Sequence, residues 1–224
     1  MTTVPAPCLT GLYAGEARYL MPAGVRSAIV KTPRERVQVT LDGIVGDQQA
    51  DRRWHGGAGK ALHQFAQASY AKIVQRFPEL RGVALPGSLG ENLSCPALDE
   101  TNVCIGDRWR FGTVEAVVCQ PRNPCRKIDS RYDLPGVATF IARQRITGWY
   151  LRVVSVGEAA VGDAMTLVDR PNPGCTIARL LAADDNRATP EAELEILRDC
   201  VGLDADWRRR LNERIGFLRQ GKLL

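Results

Sequence analysis

Residues 103–120 read VCIGDRWRFGTVEAVVCQ, and this stretch decides the fold class. Two turn-type dipeptides, Gly106-Asp107 and Gly112-Thr113, cut it into short runs, Val103–Ile105, Trp109–Phe111 and Val114–Cys119, that are rich in β-branched and aromatic residues. Glycine gives the backbone the freedom a tight turn needs, and β-branched side chains fit the pleated surface of a sheet. The stretch therefore predicts consecutive strands joined by short turns, the best marked of them ending at Gln120.

The same punctuation continues outward. Residues 1–60 carry Gly or Pro every several positions around β-branched runs such as Arg36–Thr40, and Ala61–Phe65 alternates with the period of a half-buried strand. Tyr150–Val156 and Ala164–Val168 return the chain to strand after residue 145. The pair Gly-Asp recurs at 46–47, 106–107 and 162–163, each time beside aliphatic residues, as turn markers on a small barrel. Helical signals are fewer: Ser69 is placed to cap a short helix through Gln75 that Pro78 ends, and Gly136–Arg145 reads as another. The expected fold is mainly β with peripheral helices, an α+β arrangement.

Pro171-Asn172-Pro173-Gly174 stops the last strand, and beyond it the apolar period becomes helical. The expected border gives a β-barrel domain over 1–172 and a three-helix domain over 173–224. Thr176–Ala183 supplies one helix. Thr189 as N-cap before Pro190 opens a second, whose Leu194, Leu197 and Val201 share a face, and a third from near Asp204 aligns Trp207, Leu211, Ile215 and Leu218. About 50 residues bury only a marginal core alone, so this appendage should pack on the barrel or on a second subunit.

Composition narrows the functional classes. A hydrophobic fraction of 45% and a charged fraction of 25% fit a soluble globular protein, without an apolar run of about 18 residues that could span a bilayer. No secretory leader is readable at the N-terminus, and seven cysteines show neither a disulfide framework nor paired zinc knuckles, so reduced thiols in the cytoplasm are expected. The net charge of +5 suits an anionic ligand without requiring nucleic acid. Much of that excess is assigned to the tail, at Arg208, Arg209, Arg210, Arg214 and Arg219, either as a solvated face or as a surface for a partner.

Cys125 lies in QPRNPCRK over 120–127, a strand exit stiffened by two prolines and carrying three cations. Cations beside a sulfur favour thiolate over thiol, which makes this sulfur the chain's best candidate nucleophile or soft metal ligand; the plain alternative is an inert turn cysteine. Asp51–Lys60, DRRWHGGAGK, resembles an anion cradle, with glycines exposing amides and Arg, His and Lys supplying charge; an ordinary solvated turn is its plain alternative. His55 and His63 are the two histidines, and neither stands at the spacing of a zinc site or hydrolytic triad, so His63 reads first as a hydrogen-bonded core residue. Ser88–Leu93 places Glu91 and Asn92 beside a glycine.

Taken together, GDQQADRRWHGG at 46–57, KALHQF at 60–65, GENL at 90–93 and QPRNPC at 120–125 resemble the MOSC family, named for the C-terminal domain of molybdenum cofactor sulfurases. With the helical tail, the chain is most similar to the family's stand-alone bacterial type. The resemblance implies a barrel-like MOSC domain, with its motifs over about 31–168, binding a molybdenum cofactor in which molybdenum is held by molybdopterin. It makes Cys125 the metal ligand and a catalytic residue. It places Arg53, His55, Gly56, Gly57, Lys60, His63 and Arg122 at the pterin and its phosphate, and has Asn92 or Glu91 face the substrate.

The implied activity is reduction of small N-hydroxylated compounds, such as hydroxylaminopurine-type bases and hydroxylamines. The sequence has neither a ferredoxin-type cysteine cluster nor a G-x-G-x-x-G motif, so a separate reductase must donate the electrons. A homodimer is expected, with no membrane and no specific nucleic acid as partner. Two alternatives stay open: a carrier passing sulfur or cofactor through a reactive Cys125, and an interaction module using the basic tail helix.

Overall fold

At each of the three Gly-Asp pairs the chain reverses in the same way. Gly46, Gly106 and Gly162 have φ of 84°, 83° and 94°. The amide of the following aspartate then donates to the carbonyl three residues back, Ile44, Cys104 or Ala160. This is the pattern of a type II turn, which asks for glycine at its third position. The computed structural model in which these turns are seen describes residues 7–51, 53 and 56–221.

Early in the chain run β1 (Gly11–Ala14), β2 (Arg18–Leu20), β3 (Val25–Ser27), β4 (Thr32–Arg34), β5 (Arg36–Thr40) and β6 (Gly43–Ile44). Then come β7 (Leu62–Gln64), β8 (Leu93–Ser94), β9 (Arg108–Phe111), β10 (Val114–Pro121), β11 (Trp149–Ser155), β12 (Gly157–Ala160) and β13 (Thr166–Asp169). Eight strands form one sheet in the order β13-β9-β10-β11-β7-β8-β1-β4, flanked by a β12-β5-β6 sheet and the isolated hairpin β2-β3. The segment before β1 pairs with the one before β13, Leu9 N–H donating to Asp163 O at 2.9 Å and Met165 N–H to Pro7 O at 2.7 Å. Those bonds bring the two ends of the large sheet together and curl it into a half-barrel filled by Leu12, Leu62, Leu93, Phe111, Val118 and Trp149. The mainly β class with peripheral helices expected from residues 103–120 is the one observed.

Details depart from the pattern. Val103–Ile105 is not a strand of the sheet; its backbone serves the tail, with Ile177 N–H donating to Val103 O and Ile105 N–H to Cys175 O, both at 2.9 Å. β7 is buried on both faces, His63 and Gln64 included, so its alternation marks two interiors rather than a core and a surface. One of those interiors is the barrel; the other is a second apolar cluster built by α1 (Gln67–Arg76), α2 (Lys127–Tyr132) and α3 (Val137–Arg143) with Phe65 and Leu89. Ser69 does not cap α1. Ala66 holds that position, without a side-chain bond.

The tail folds as α4 (Ile177–Asp185), α5 (Glu191–Arg198) and α6 (Ala205–Gly221). Thr176 caps α4, accepting from Arg179 N–H at 3.1 Å. Thr189 does not cap α5; its hydroxyl donates instead to the Ala183 and Asn186 carbonyls. Val201 is 64% exposed because α5 ends before it, while Leu194, Leu197, Trp207, Leu211 and Ile215 are buried in the same apolar cluster as the barrel interior. The assigned basic excess is absent from the tail: residues 173–224 hold nine basic and nine acidic side chains. Arg210 pairs with Asp184, Arg219 with Glu191 and Glu195, and Arg209 with Asp206. Arg208 and Arg214 donate to backbone carbonyls. Apart from Arg209, whose partner is on its own helix, these arginines tie the helices to one another, which removes the observation that favoured the tail as a basic docking surface. Among the described residues no helix is long and apolar enough to cross a membrane.

Candidate functional site

Between the half-barrel and the α1–α3 cluster an open cleft of about 600 Å³, solvent-open space included, is walled by Lys31, Asp47, Lys60, His63, Asn92, Arg122, Cys125, Lys127 and Tyr150, with Ser27–Ile29, Gln48–Ala50, Leu89 and Gly90. Residues from each of the four sequence blocks quoted above, at 46–57, 60–65, 90–93 and 120–125, meet here.

The end of β10 builds one wall. After Pro121 the ladder closes with Arg122 N–H donating to Gly148 O at 3.0 Å, and Pro124 turns the chain so that the Cys125 carbonyl accepts from Ile128 N–H at 3.0 Å and starts α2. Cys125 is left half-buried on the cleft. Arg122 is only 6% exposed, and its Nη1 has no hydrogen-bond partner among the described residues. A buried guanidinium nitrogen without an acceptor is costly, and an anion in the cleft would satisfy it. Next to it, Gln120, Tyr150 and His63 lie in one cross-strand row over β10, β11 and β7, with the His63 and Tyr150 rings 5.2 Å apart. The Gln120 side chain and the Cys119 thiol both donate to Gly59 O at 3.0 Å, which holds the short turn Ala58–Lys60 and sets Lys60 on the cleft. A Cβ on Gly59 would come within 2.3 Å of Asp204 Oδ2, so that side chain would have to turn away.

A chain of buried polar groups forms the opposite wall. At two of the Gly-Asp turns the aspartate side chain accepts from an amide of its own turn, Cys104 N–H or Ala160 N–H. Asp47 is diverted: it accepts from Gly15 N–H at 2.8 Å, from Asn92 Nδ2 at 2.9 Å and from the Lys31 ammonium at 2.5 Å. Asn92 in turn donates to Tyr13 O at 3.1 Å and accepts from His63 N–H at 3.0 Å, so its amide is engaged on both ends. Burial pushes the Lys31 ammonium below its usual range against the pull of Asp47. Burial first, and then the Arg122 charge, hold the His63 imidazole well below its ordinary value, so it is neutral at pH 7.

The remaining expected residues fall elsewhere. Glu91 is fully buried behind the wall, where its carboxylate accepts from Tyr70 OH at 2.5 Å, Gly87 N–H at 2.6 Å and Leu89 N–H at 3.1 Å. Burial raises its pKa despite these donors. Gly56, Gly57 and exposed Arg53 do not line the cleft; Gly57, at φ 99°, opens the turn that carries Lys60, and Arg53 N–H donates to Asp51. His55 lies outside the described residues. Lys31, Asp47 and Tyr150 were not singled out in the sequence, and Lys127 was counted only as a cation beside Cys125. Asp47 sits inside a quoted block, but nothing in its residue type separates it from the other two turn aspartates.

Among the described residues no group of three or more His, Cys, Asp and Glu side chains could hold a metal ion. The cleft thus offers one soft sulfur and several cations, a donor set for a metal whose other ligands arrive with an anionic cofactor. Protein YiiM of Escherichia coli strain K12 is 29% identical over 204 residues, 91% of this chain and 90% of its own. A protein of Gibberella moniliformis named as a reductase is 31% identical over 181 residues, 80% of this chain but 32% of that longer one. The crystal structure of YiiM from Escherichia coli superposes with a TM-score of 0.78 at 24% identity, covering 94% of this chain and 93% of that one. The sequence model of the MOSC domain matches residues 51–166, more than half of the protein, and the chain belongs to the MOSC domain family.

Proposed function

We propose that this protein binds a molybdenum–pterin cofactor through Cys125 and reduces small N-hydroxylated compounds, hydroxylaminopurine-type bases and hydroxylamines among them. The observation that carries the reading is the buried, unpartnered Arg122 Nη1 on the same cleft as the Cys125 sulfur. A phosphate-bearing cofactor suits both groups: the sulfur is a soft metal ligand, and the guanidinium binds a phosphate oxygen in a charge-assisted bond. The reductase name of the Gibberella relative supports oxidoreductase chemistry. When bound, such a cofactor supplies a two-electron metal centre.

This chain's own residues do the rest. Cys125 anchors the metal, Arg122 with Lys31, Lys60 and Lys127 holds the phosphate, and the Asp47–Asn92 pair fixes where the Lys31 ammonium stands. Neutral His63 and Tyr150 line the cleft without adding charge. In the overall reaction the N–O bond breaks, two electrons and two protons enter, and amine and water leave. The electrons come from a separate reductase.

The test is molybdenum and released pterin in protein purified from a host that makes the cofactor, wild type beside Cys125→Ala. Near-stoichiometric metal that falls at least tenfold in the variant, with hydroxylaminopurine reduced by the wild type on a viologen donor, is the expected result. Metal bound without turnover would turn the reading toward a cofactor or sulfur carrier, and no metal in either protein would overturn it.

A further inference from the structure

We propose that the mouth of the Cys125 cleft is a docking surface for an acidic electron-carrier protein of the flavodoxin or ferredoxin kind, a proposal that rests on the reductase reading above. Charge gives the first argument. Residues 51–60 hold three basic side chains and one acidic, and residues 122–131 hold four and one, so these two short segments together match the whole formal excess of +5. Both segments reach the cleft, the first through Lys60 and the second through Arg122, Cys125 and Lys127. The candidate metal ligand therefore lies on a cleft to which two segments of net positive charge contribute.

Pairing gives the second. In the tail, exposed Arg209, Arg210 and Arg219 are tied to carboxylates, and Arg187 alone of its exposed arginines has no ion-pair partner among the described residues. At the mouth, Arg126 is exposed directly after Cys125. Arg18 and Arg26 are exposed on the hairpin β2-β3, whose β3 packs against α2. Among the described residues none of Arg18, Arg26, Arg126 and Lys127 has an ion-pair partner. Cations left uncompensated around one opening set up a field that steers an anionic partner to it.

Access gives the third. Cys125 is half-buried on an open cleft, and the sequence contains neither a ferredoxin-type cysteine cluster nor a dinucleotide-binding motif, so electrons for each turnover enter from outside, and the mouth is the short way in. A nucleic acid would feel the same field, but the reaction does not need one, whereas it needs a carrier twice or once in every cycle.

The experiment titrates oxidised flavodoxin, an acidic carrier, against the cofactor-loaded protein and against the double variant Arg26→Glu/Arg126→Glu, with and without salt. We expect wild-type binding to weaken about tenfold or more between roughly 20 and 200 mM salt. The variant should bind about tenfold or more weakly at low salt while keeping its molybdenum and its viologen-driven turnover. A viologen is cationic, so loss with flavodoxin alone cannot come from general damage. Wild-type binding that is absent or indifferent to salt, or binding that survives in the variant, overturns the docking surface. So does a single-stranded oligonucleotide that binds more tightly than flavodoxin and is lost in the same variant. Charge-dependent flavodoxin binding without any viologen-driven turnover would leave the surface standing and remove the reductase reading instead.

Discussion

Glu91 and Asn92 are neighbours in a block that sequence alone could treat only as one unit, and their side chains serve different ends. Asn92 lines the cleft, and Glu91 ties the loop 87–89 to Tyr70 behind it. Glu91→Ala strands three buried donors, which should cost about 3 kcal/mol, a fall in Tm of roughly 6–12 °C, with molybdenum binding by the folded protein unchanged. A variant as stable as wild type but lacking metal would place Glu91 at the cofactor instead. His63 carries a second prediction. The folded protein keeps its imidazole neutral, while the unfolded chain takes up a proton near the ordinary value of 6.5. The stability it contributes is therefore full above that pH and lost as pH falls toward the depressed folded value. Melting curves between about pH 7.5 and 5 should fall less steeply for His63→Gln than for wild type, and equal slopes would count against this account. Cys125, Arg122 and Lys60 could be picked out as residues, because thiol, guanidinium and ammonium announce their chemistry by type, whereas His63 read first as a core residue and came to the site only through the family resemblance. Lys31 and Asp47 could not be picked out: a lysine and a turn aspartate are common surface residues, and only the tertiary structure shows that these two are buried against each other.

Among the elements, the strands around 103–120 were readable because alternation and turn residues are local signals, whereas helix ends were misplaced wherever a distant group supplies the cap. Thr189 looked like an N-cap and bonds backward to α4, and the carbonyls at the end of α4 are satisfied from α6. Arg214 donates from Nη1 to Ala183 O at 2.6 Å and Asp184 O at 3.0 Å, and from Nη2 to Asn186 O. Arg208 does the same after α5, from Nη1 to Arg198 O at 2.7 Å and from Nη2 to Cys200 O at 3.1 Å. A cation at a helix C-terminus both fills orphan carbonyls and complements the helix dipole. Arg214→Met keeps most of the aliphatic stem and removes these bonds, so we expect a loss of about 2 kcal/mol in urea unfolding, within the range for hydrogen bonds to a charged group. Arg209→Met is the contrast. Arg209 and its partners Asp206 and Glu213 are exposed, and the change should leave the urea midpoint unchanged. Equal losses at both positions would show that the carbonyl contacts of Arg214 do not stabilise the tail.

For the whole molecule the question is whether the helical tail is a separable unit, as the Pro-Asn-Pro-Gly break at 171–174 suggested. The break marks a change of secondary structure, but apolar contacts run across it: Leu180, Leu194, Leu197, Trp207 and Leu211 share one cluster with Phe111, Val118 and Trp149 of the half-barrel. Polar seams reinforce the junction. Asn172 Nδ2 bridges Ile105 O at 2.8 Å and Val201 O at 2.9 Å, and Asp204 N–H donates to Cys119 O at 2.9 Å. The last of these reaches the strand that delivers Cys125, so the tail also steadies the wall of the cleft. Removing it would uncover several large side chains at about 25 cal/mol per Å² of apolar surface, more than a half-barrel of this size can lose. We therefore expect tail and barrel to unfold together. Trp207 reports on the tail, so urea curves from a variant with Trp54, Trp109 and Trp149 replaced by Phe should have the same midpoint as far-ultraviolet circular dichroism of that protein. An earlier midpoint for Trp207 than for the dichroism would mean that the tail detaches first. In that case a chain ending near Pro173 should fold and still hold metal at Cys125; under the shared-core account such a chain aggregates.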